Sequence, residues 1–170
     1  MKWVFIAVAA VAGVVLLVTI IGAFRPKTHT ATYSAVFAAG PERIWDVVAD
    51  IEHQPEWLPE VTKVERLPDR DGKPSYRETF GRFDATTVVT TFDPPRRLVK
   101  EILPGGAFSG SWTWELTPKG ERTRLVITER GTVENSLFRG MMIFWDNTKS
   151  ARQFGEALAK RLGVAIEPES

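Results

Sequence analysis

Residues 136–162 repeat their apolar side chains at the spacing of an α-helix, over a greater length than any other part of the chain beyond residue 27. At 3.6 residues per turn, the apolar side chains gather on one face and the polar ones on the other. Asn135 and Ser136 can accept hydrogen bonds from the first free N–H groups, and Gly163 stands where helices commonly end. The pattern predicts one long amphipathic helix. Its apolar face needs a broad partner, and we expect a curved antiparallel sheet around it, with a pocket between the two.

Most segments before this helix have the composition of β-strands and are separated by turn-forming residues. Residues 29–38 are rich in β-forming side chains, and the pair Gly40-Pro41 ends them. Two short helical segments follow, and after them six further strands separated by turns rich in Gly, Pro and Asp. The segments are predicted at residues 42–50 and 56–58 for the helices, and at 61–67, 76–83, 85–92, 98–103, 108–117 and 122–133 for the strands. The order is typical of an α+β domain.

An apolar segment without a charged residue, from Trp3 to Phe24, precedes the domain. At about 1.5 Å per residue it reaches roughly 33 Å, enough to cross a hydrocarbon core of about 30 Å. A cleaved signal peptide has a shorter apolar run, of about 7–15 residues, so an uncleaved single-pass anchor is the favoured interpretation. We expect it in a bacterial plasma membrane. Lys2 on one side faces Arg25 and Lys27 on the other, so the positive-inside rule does not decide the orientation.

Three parts of the chain are therefore expected: an anchor with its flank at 1–27, one ligand-binding domain at 28–164, and a tail at 165–170. The 22 basic and 21 acidic residues leave a net charge of +1, which gives no field that would attract nucleic acid. The chain has no cysteine, which excludes disulfides, thiolate metal sites and a cysteine nucleophile. The oligomeric state stays open.

Alternation along the predicted strands assigns side chains to the face that meets the helix. Trp112 and Trp114 share this face of their strand. Glu78 falls there beside Phe80, and Glu129 falls there on the last strand. Two acids thus lie among inward-facing apolar side chains.

Two interpretations of these acids stay open. Desolvation would raise the pKa of a carboxyl in an apolar pocket, so that it could bind a ligand hydroxyl or move a proton. Alternatively each acid is satisfied by a basic neighbour such as Arg152, because an unpaired buried carboxylate costs several kcal/mol. The tryptophans likewise either line a cavity or fill the core. The candidate ligand-binding residues are Trp57, Glu78, Phe80, Trp112, Trp114, Glu129, Met141 and Trp145.

The two histidines do not point to a catalytic or metal site. His53 lies beside Glu52 and Glu56, but one histidine with flanking acids is not a metal site. His29 follows the membrane exit and is expected to face solvent. No glycine-rich phosphate loop follows a strand, and no G-x-S-x-G motif is present, so nucleotide binding and triad hydrolysis are not supported. We expect no metal, no cofactor and no catalytic residue.

Four runs of sequence resemble the SRPBCC family, which is the START and Bet v 1-like group often labelled polyketide cyclase/dehydrase and lipid transport. They are PERIWDVVADIEHQPEWLPEVTKVERLPDRDGKP, FDPPRRLVKEI, FSGSWTWEL and TRLVITERGTVENSLFR. The resemblance covers about residues 30–162. It implies a helix-grip fold, in which a seven-stranded antiparallel sheet bends around a long C-terminal helix and encloses an apolar cavity. The family includes hydrophobic-ligand carriers, quinone-binding chaperone-like proteins, cyclases and members without known activity, so the fold says little about the chemistry.

The residues and the resemblance together favour a membrane-anchored protein that binds a small hydrophobic or amphipathic ligand. The tether makes a lipid, an isoprenoid or a quinone-like molecule more plausible than a soluble metabolite. The alternative is a cyclase- or dehydratase-type enzyme with Glu78 or Glu129 as acid or base. A third hypothesis is an interaction module whose pocket has collapsed around its tryptophans. Nucleic acid is not an expected partner.

Overall fold

The computed structural model describes residues 1–105, 109–142, 146 and 148–169. It consists of an apolar N-terminal helix followed by an α+β domain. In chain order the elements are α1 (Lys2–Ala23), β1 (Thr28–Phe37), α2 (Pro41–Val48), a 3₁₀ turn (Gln54–Glu56), β2 (Val61–Arg70), β3 (Lys73–Phe80), β4 (Phe83–Asp93), β5 (Arg97–Ile102), β6 (Ser109–Lys119), β7 (Arg122–Thr132), α3 (Ser136–Met141), α4 (Lys149–Leu162) and β8 (Ile166–Glu169).

The strands form one antiparallel sheet in the order β2-β3-β4-β5-β6-β7-β1-β8. The helix-grip architecture expected from the sequence is confirmed, with eight strands instead of seven. The additional strand is β8, which had been expected to be a tail. It pairs with the outer edge of β1, where Ser34 lies opposite Glu169. An edge strand tolerates the proline at position 168, because only one side of it joins the ladder.

Glu169 fixes β8 to the sheet through its side chain. Its carboxylate accepts hydrogen bonds from Arg124, Ser34 and Lys119. These bonds, with that from Arg124 the strongest, lower the pKa of the Glu169 carboxyl to about 2. The strand is therefore held by polar and charged partners from distant segments, which hydrophobic periodicity does not reveal.

The described residues of the stretch predicted as one long helix form two helices, α3 and α4. Asn135 caps α3 as expected, since its side-chain oxygen accepts from the N–H groups of Leu137 and Phe138. Asp146 lies outside both helices, and its Oδ1 accepts from the N–H and the hydroxyl of Thr148. Such local side-chain bonds compete with the helical hydrogen bonds and so favour a break. Gly163 ends α4 in the left-handed conformation, with φ of 65°, as predicted.

Helix α4 packs into the concave face of the sheet and closes the core. Phe154 and Leu158 are buried there against Trp114 and Ile127. The approach to β1 is close: a Cβ at Gly155 would lie 2.5 Å from the Tyr33 ring. The core therefore requires a small residue at this point of the helix.

Helix α1 stands apart from the core. It is the one helix among the described residues that is long and apolar enough to cross a membrane, although a signal sequence would also meet that criterion. Only Gly22, in its last turn, is buried, and this turn lies against α3.

Candidate functional site

The space between the concave face of the sheet and α4 is a narrow cavity. Its atom-free volume is about 430 Å³, part of which opens to solvent, and the centre of a water molecule can occupy about 40 Å³ of it. That space has room for a few water molecules. The lining residues are Gln54, Leu58, Glu60, Val61, Glu78, Phe80, Thr87, Lys100, Ile102, Trp112, Trp114 and Phe154.

Strand register places one row of these residues across the sheet. Lys100 lies opposite Trp112, Trp112 opposite Glu129, and Glu129 opposite Ala31. Directly opposed residues share a face, so the side chains of this row all meet the concave side. Ala31 lies three residues beyond Thr28, where β1 begins, so the row is about 10 Å from the end of the sheet to which α1 is joined.

Glu78 is fully buried in the cavity wall and is half of an ion pair. Its Oε2 accepts from Lys100 Nζ at 2.7 Å, and its Oε1 accepts from the Thr87 hydroxyl at 2.5 Å. The expected partner Arg152 is wrong: it pairs with Asp146 at 3.0 Å. The buried Lys100 ammonium also lies 5.6 Å from the centroid of the Trp114 ring. Because both carboxylate oxygens are bonded, Glu78 is held in place by neighbours within the wall.

Glu129 is mostly buried but lacks such partners. Its side chain is 22% exposed, its Oε2 is buried without a hydrogen-bond partner among the described residues, and its Oε1 lies 3.8 Å from His29 Nε2. Burial raises the pKa of Glu129 to about 7, and the negative charge of Glu60 adds to the shift. Near neutral pH this carboxyl is therefore protonated in a large fraction of molecules and can donate a hydrogen bond.

His29 does not face solvent as expected. It covers Glu129 from β1, opposite Gly131 of β7, and a Cβ at Gly131 would lie 2.2 Å from the His29 ring. The glycine thus makes room for the imidazole. Burial lowers the pKa of His29, which favours the neutral ring beside Glu129.

The aromatic residues gather around Phe154 of α4. Its ring centroid is 5.2 Å from Trp57, 5.4 Å from Trp114 and 6.3 Å from Trp112. Trp114 is fully buried and belongs to the core, whereas Trp112 and Trp57 are only partly buried. Phe80 lines the same cavity. The structure therefore brings four of the predicted aromatic residues together.

Four predicted site residues are not in the cavity lining. Trp57 and Glu129 lie beside the lining, next to Phe154 and Trp112 respectively. Met141 lies on α3 beside α1, is 39% exposed and does not line the cavity. Trp145 lies outside the described residues. Sequence reasoning missed Lys100, Thr87 and Phe154. Alternation along β5 and the helical spacing from Ala151 to Leu158 would have indicated Lys100 and Phe154.

Metal binding has no support in the described residues. Within 1–105, 109–142, 146 and 148–169, no three His, Asp or Glu side chains gather closely enough to hold a metal ion. The polar groups of the cavity are instead a lysine, a threonine, a glutamine and carboxyl groups.

The sequence of the domain matches a family model described as polyketide cyclase/dehydrase and lipid transport, over residues 28–163. The chain belongs to that family. A comparison with curated proteins finds no match.

Solved structures similar to this polyketide cyclase/dehydrase and lipid transport family member have related folds. The Zhui aromatase/cyclase from Streptomyces sp. R1128 is 19% identical with a TM-score of 0.69, and the match covers 80% of this chain and 94% of that one. A START superfamily protein from Mycobacterium smegmatis is 19% identical with a TM-score of 0.66, covering 79% and 97%. Norcoclaurine synthase from Thalictrum flavum, in complex with dopamine and hydroxybenzaldehyde, is 18% identical with a TM-score of 0.62, covering 79% and 86%. At these identities the likeness shows the fold.

Two kinds of polar group occur in this family member, one in the cavity wall and one beside the cavity, where Glu129 lies opposite the lining residue Trp112. The Glu78–Lys100 pair is a fixed dipole in the wall that can orient a polar ligand atom. Glu129 can exchange a proton near neutral pH, so it can donate or accept a hydrogen bond according to its protonation state. The remaining lining is mostly aromatic and aliphatic, which suits a flat or apolar molecule.

Proposed function

We propose that the protein is a membrane-anchored binding protein for a small hydrophobic or amphipathic ligand, held between the sheet and α4. The observation that carries this proposal is the position of Glu129, a partly unpaired carboxyl opposite the cavity-lining Trp112 and about 10 Å from the end of the sheet that carries α1. A ligand arriving from a bilayer would meet this end first. The ligand class we favour is a lipid, an isoprenoid or a quinone whose carbonyl or hydroxyl group bonds to Glu129.

The size of the cavity defines what must happen on binding. Space for a few waters does not admit a ring, so a ring-sized head group has to displace part of the lining. The Phe154 and Trp57 rings meet edge to face at 5.2 Å and are the side chains we expect to move. An apolar tail would then extend toward the α1 end of the domain, while the Glu78–Lys100 pair stays in the wall.

Mass spectrometry of the purified full-length protein tests this proposal. We expect organic extracts to contain a lipid-like species, and added isoprenoids or quinones to raise the melting temperature. Trp112→Ala should weaken both effects, because Trp112 lines the cavity beside Glu129. Phe83→Ala is the matched control, since Phe83 is an exposed aromatic residue outside the lining. Absence of a lipid-like species together with absence of a thermal shift would contradict the proposal and favour an interaction module, with which the small cavity agrees.

A second function, cyclase- or dehydratase-type catalysis, is favoured by one observation. A general acid or base works best with a pKa near the working pH, and burial brings the pKa of Glu129 to about 7. Glu78 suits this role less, because both its oxygens already accept hydrogen bonds. Glu129→Gln separates the two functions: an enzyme would lose turnover and still bind its substrate, whereas a binding protein would change only in affinity.

A further inference from the structure

We propose that α3 lies in the surface of the bilayer that α1 crosses, so that the domain rests on the membrane with the Glu129 end of its sheet toward the lipid. The alternative is a domain that is connected to the membrane only by a flexible segment. This inference rests on α1 acting as the membrane anchor of the proposed function. The partner that we propose for α3 is a lipid surface with anionic headgroups.

The first observation is the backbone contact between α1 and α3. A Cβ at Gly22 would lie 1.8 Å from the Ser136 carbonyl oxygen, and a Cβ at Gly140 would lie 2.1 Å from the Val18 carbonyl oxygen. Such an approach is open only to glycine, as in closely packed transmembrane helix pairs. Helix α3 therefore lies directly against the last turns of α1, at the depth where the apolar span ends.

The second observation is the buried Arg139, which fastens three segments together. Its Nε donates to the Gly22 carbonyl at 2.9 Å, and one terminal nitrogen donates to the carbonyls of Val133 and Glu134 at 2.9 and 2.6 Å. The other terminal nitrogen donates to the Ser136 hydroxyl at 2.9 Å. A cation at the C-terminal end of α1 also complements the helix dipole. These bonds fix the orientation of the domain relative to α1.

The third observation is the apolar surface that this arrangement leaves uncovered. Phe138 and Met141 on α3 are 45% and 39% exposed, and Phe24 projects at the end of α1. Arg25 and Lys27 are exposed at the same place. Apolar and aromatic side chains beside basic residues at the end of a membrane span are typical of the interface, where such helices enter about 5–10 Å into the headgroup region. Lys27 pairs with Glu134 at 2.7 Å, so Arg25 supplies the positive charge that favours anionic lipids.

This placement has a consequence for the cavity. His29 and Gly131 lie opposite one another near the α1 end of the sheet, and the row with Glu129 and Trp112 lies two residues further in. With α3 in the interface, this end faces the headgroups. A ligand would then pass between lipid and cavity without crossing bulk water.

Site-directed spin labelling of the full-length protein tests the inference, and the absence of native cysteines allows single labels without further changes. The labelled variants are Phe138→Cys and Met141→Cys, with Phe92→Cys as the matched control, because Phe92 is an exposed apolar residue (59%) at the end of β4 that lies away from α1. The protein is reconstituted into vesicles of phosphatidylcholine and phosphatidylglycerol. Power saturation with oxygen and with a water-soluble nickel chelate then reports the depth of each label.

We expect the labels at 138 and 141 to lie about 5–10 Å below the phosphates, accessible to oxygen and shielded from nickel. The label at 92 should show the opposite. If all three labels are equally accessible to nickel while the protein floats with the vesicles, the proposed position of α3 is contradicted, although α1 still acts as an anchor. If the protein does not float with the vesicles, the anchor itself fails, and the inference fails with it. Thermal unfolding of each variant confirms that these exposed positions leave the domain folded.

Discussion

Glu78 and Glu129 fall on the same inward face of the sheet, but their surroundings differ. Both oxygens of Glu78 accept hydrogen bonds, from Thr87 and from the buried Lys100. One oxygen of Glu129 has no partner among the described residues, and the nearest histidine nitrogen lies 3.8 Å from the other. Burial alone therefore does not decide what an inward acid does. Glu78 has hydrogen-bond partners and stabilises the cavity wall, whereas one oxygen of Glu129 has none among the described residues.

Strand order explains the difference. Glu78 lies on β3, and Lys100 reaches it from β5, two strands away. Glu129 has Trp112 on one side and Ala31 on the other, and neither side chain can supply a charge. The same substitution, Glu to Gln, should consequently act in opposite directions at the two positions.

The largest expected effect is that of Glu78→Gln. It leaves the Lys100 ammonium buried without its counter-charge, and breaking a buried pair in this way costs roughly 3–5 kcal/mol of unfolding free energy. Urea unfolding of the full-length protein in detergent micelles, followed by near-UV circular dichroism, measures it. Glu65→Gln is the control, because Glu65 forms its ion pairs with Lys63 and Arg77 at the surface.

The double variant Glu78→Gln with Lys100→Met should recover most of this loss, since it removes both charges and keeps an acceptor for the Thr87 hydroxyl. If Glu78→Gln lowers the unfolding free energy no more than Glu65→Gln does, the ion pair does not stabilise the cavity wall.

The next effect is a dependence of stability on pH that originates at Glu129. Its pKa is about 7 when folded, against an ordinary value of 4.5. At lower pH both states hold the proton, and between about 4.5 and 7 the unfolded state loses it first. The folded state is therefore destabilised as pH rises through this range, by roughly 3 kcal/mol in all. Above pH 7 this penalty is present in full.

The measurement is the unfolding free energy of the wild type minus that of Glu129→Gln, from pH 4 to pH 8. The subtraction cancels the groups that are remote from Glu129. His29 lies 3.8 Å from Glu129, and its lowered pKa acts in the opposite direction. We expect the difference to fall with pH, so that Glu129→Gln is the more stable protein at pH 8. A flat difference would show that Glu129 is not desolvated.

Local patterns in the sequence predicted most of the fold. They also predicted that Glu78 and Glu129 face inward, but not which partners surround each acid. Alternation identified both inward acids and the inward tryptophans. The element order predicted a curved antiparallel sheet around a helix, and the family resemblance implied the helix grip. The break at Asp146 was missed, because apolar periodicity continues through it while the hydrogen bonds to Thr148 oppose the helix. Strand β8 was missed because Glu169 joins it to the sheet through charges supplied by distant segments.

The partner of Glu78 was beyond such local reasoning. Lys100 has the alternation of an inward residue, but which acid it meets depends on strands β3, β4 and β5 lying side by side. For the same reason the unpaired state of Glu129 could not be read from its own strand. It follows from the apolar neighbours that β6 and β1 place next to it.

The smallest expected effect concerns how Glu60 contributes to the raised pKa of Glu129. Burial is the larger cause and the negative charge of Glu60 the smaller one. Glu60→Gln removes only the charge, so the pKa of Glu129 should decrease and still remain well above its ordinary value. Carbon-13 NMR of the glutamate carboxyls, titrated in the full-length protein in micelles, measures this, with Glu65→Gln as an acid substitution at the surface. A return of the pKa to its ordinary value would mean that charge dominates over burial. The contrast with Glu78 would then arise from a neighbouring acid and not from the missing partner.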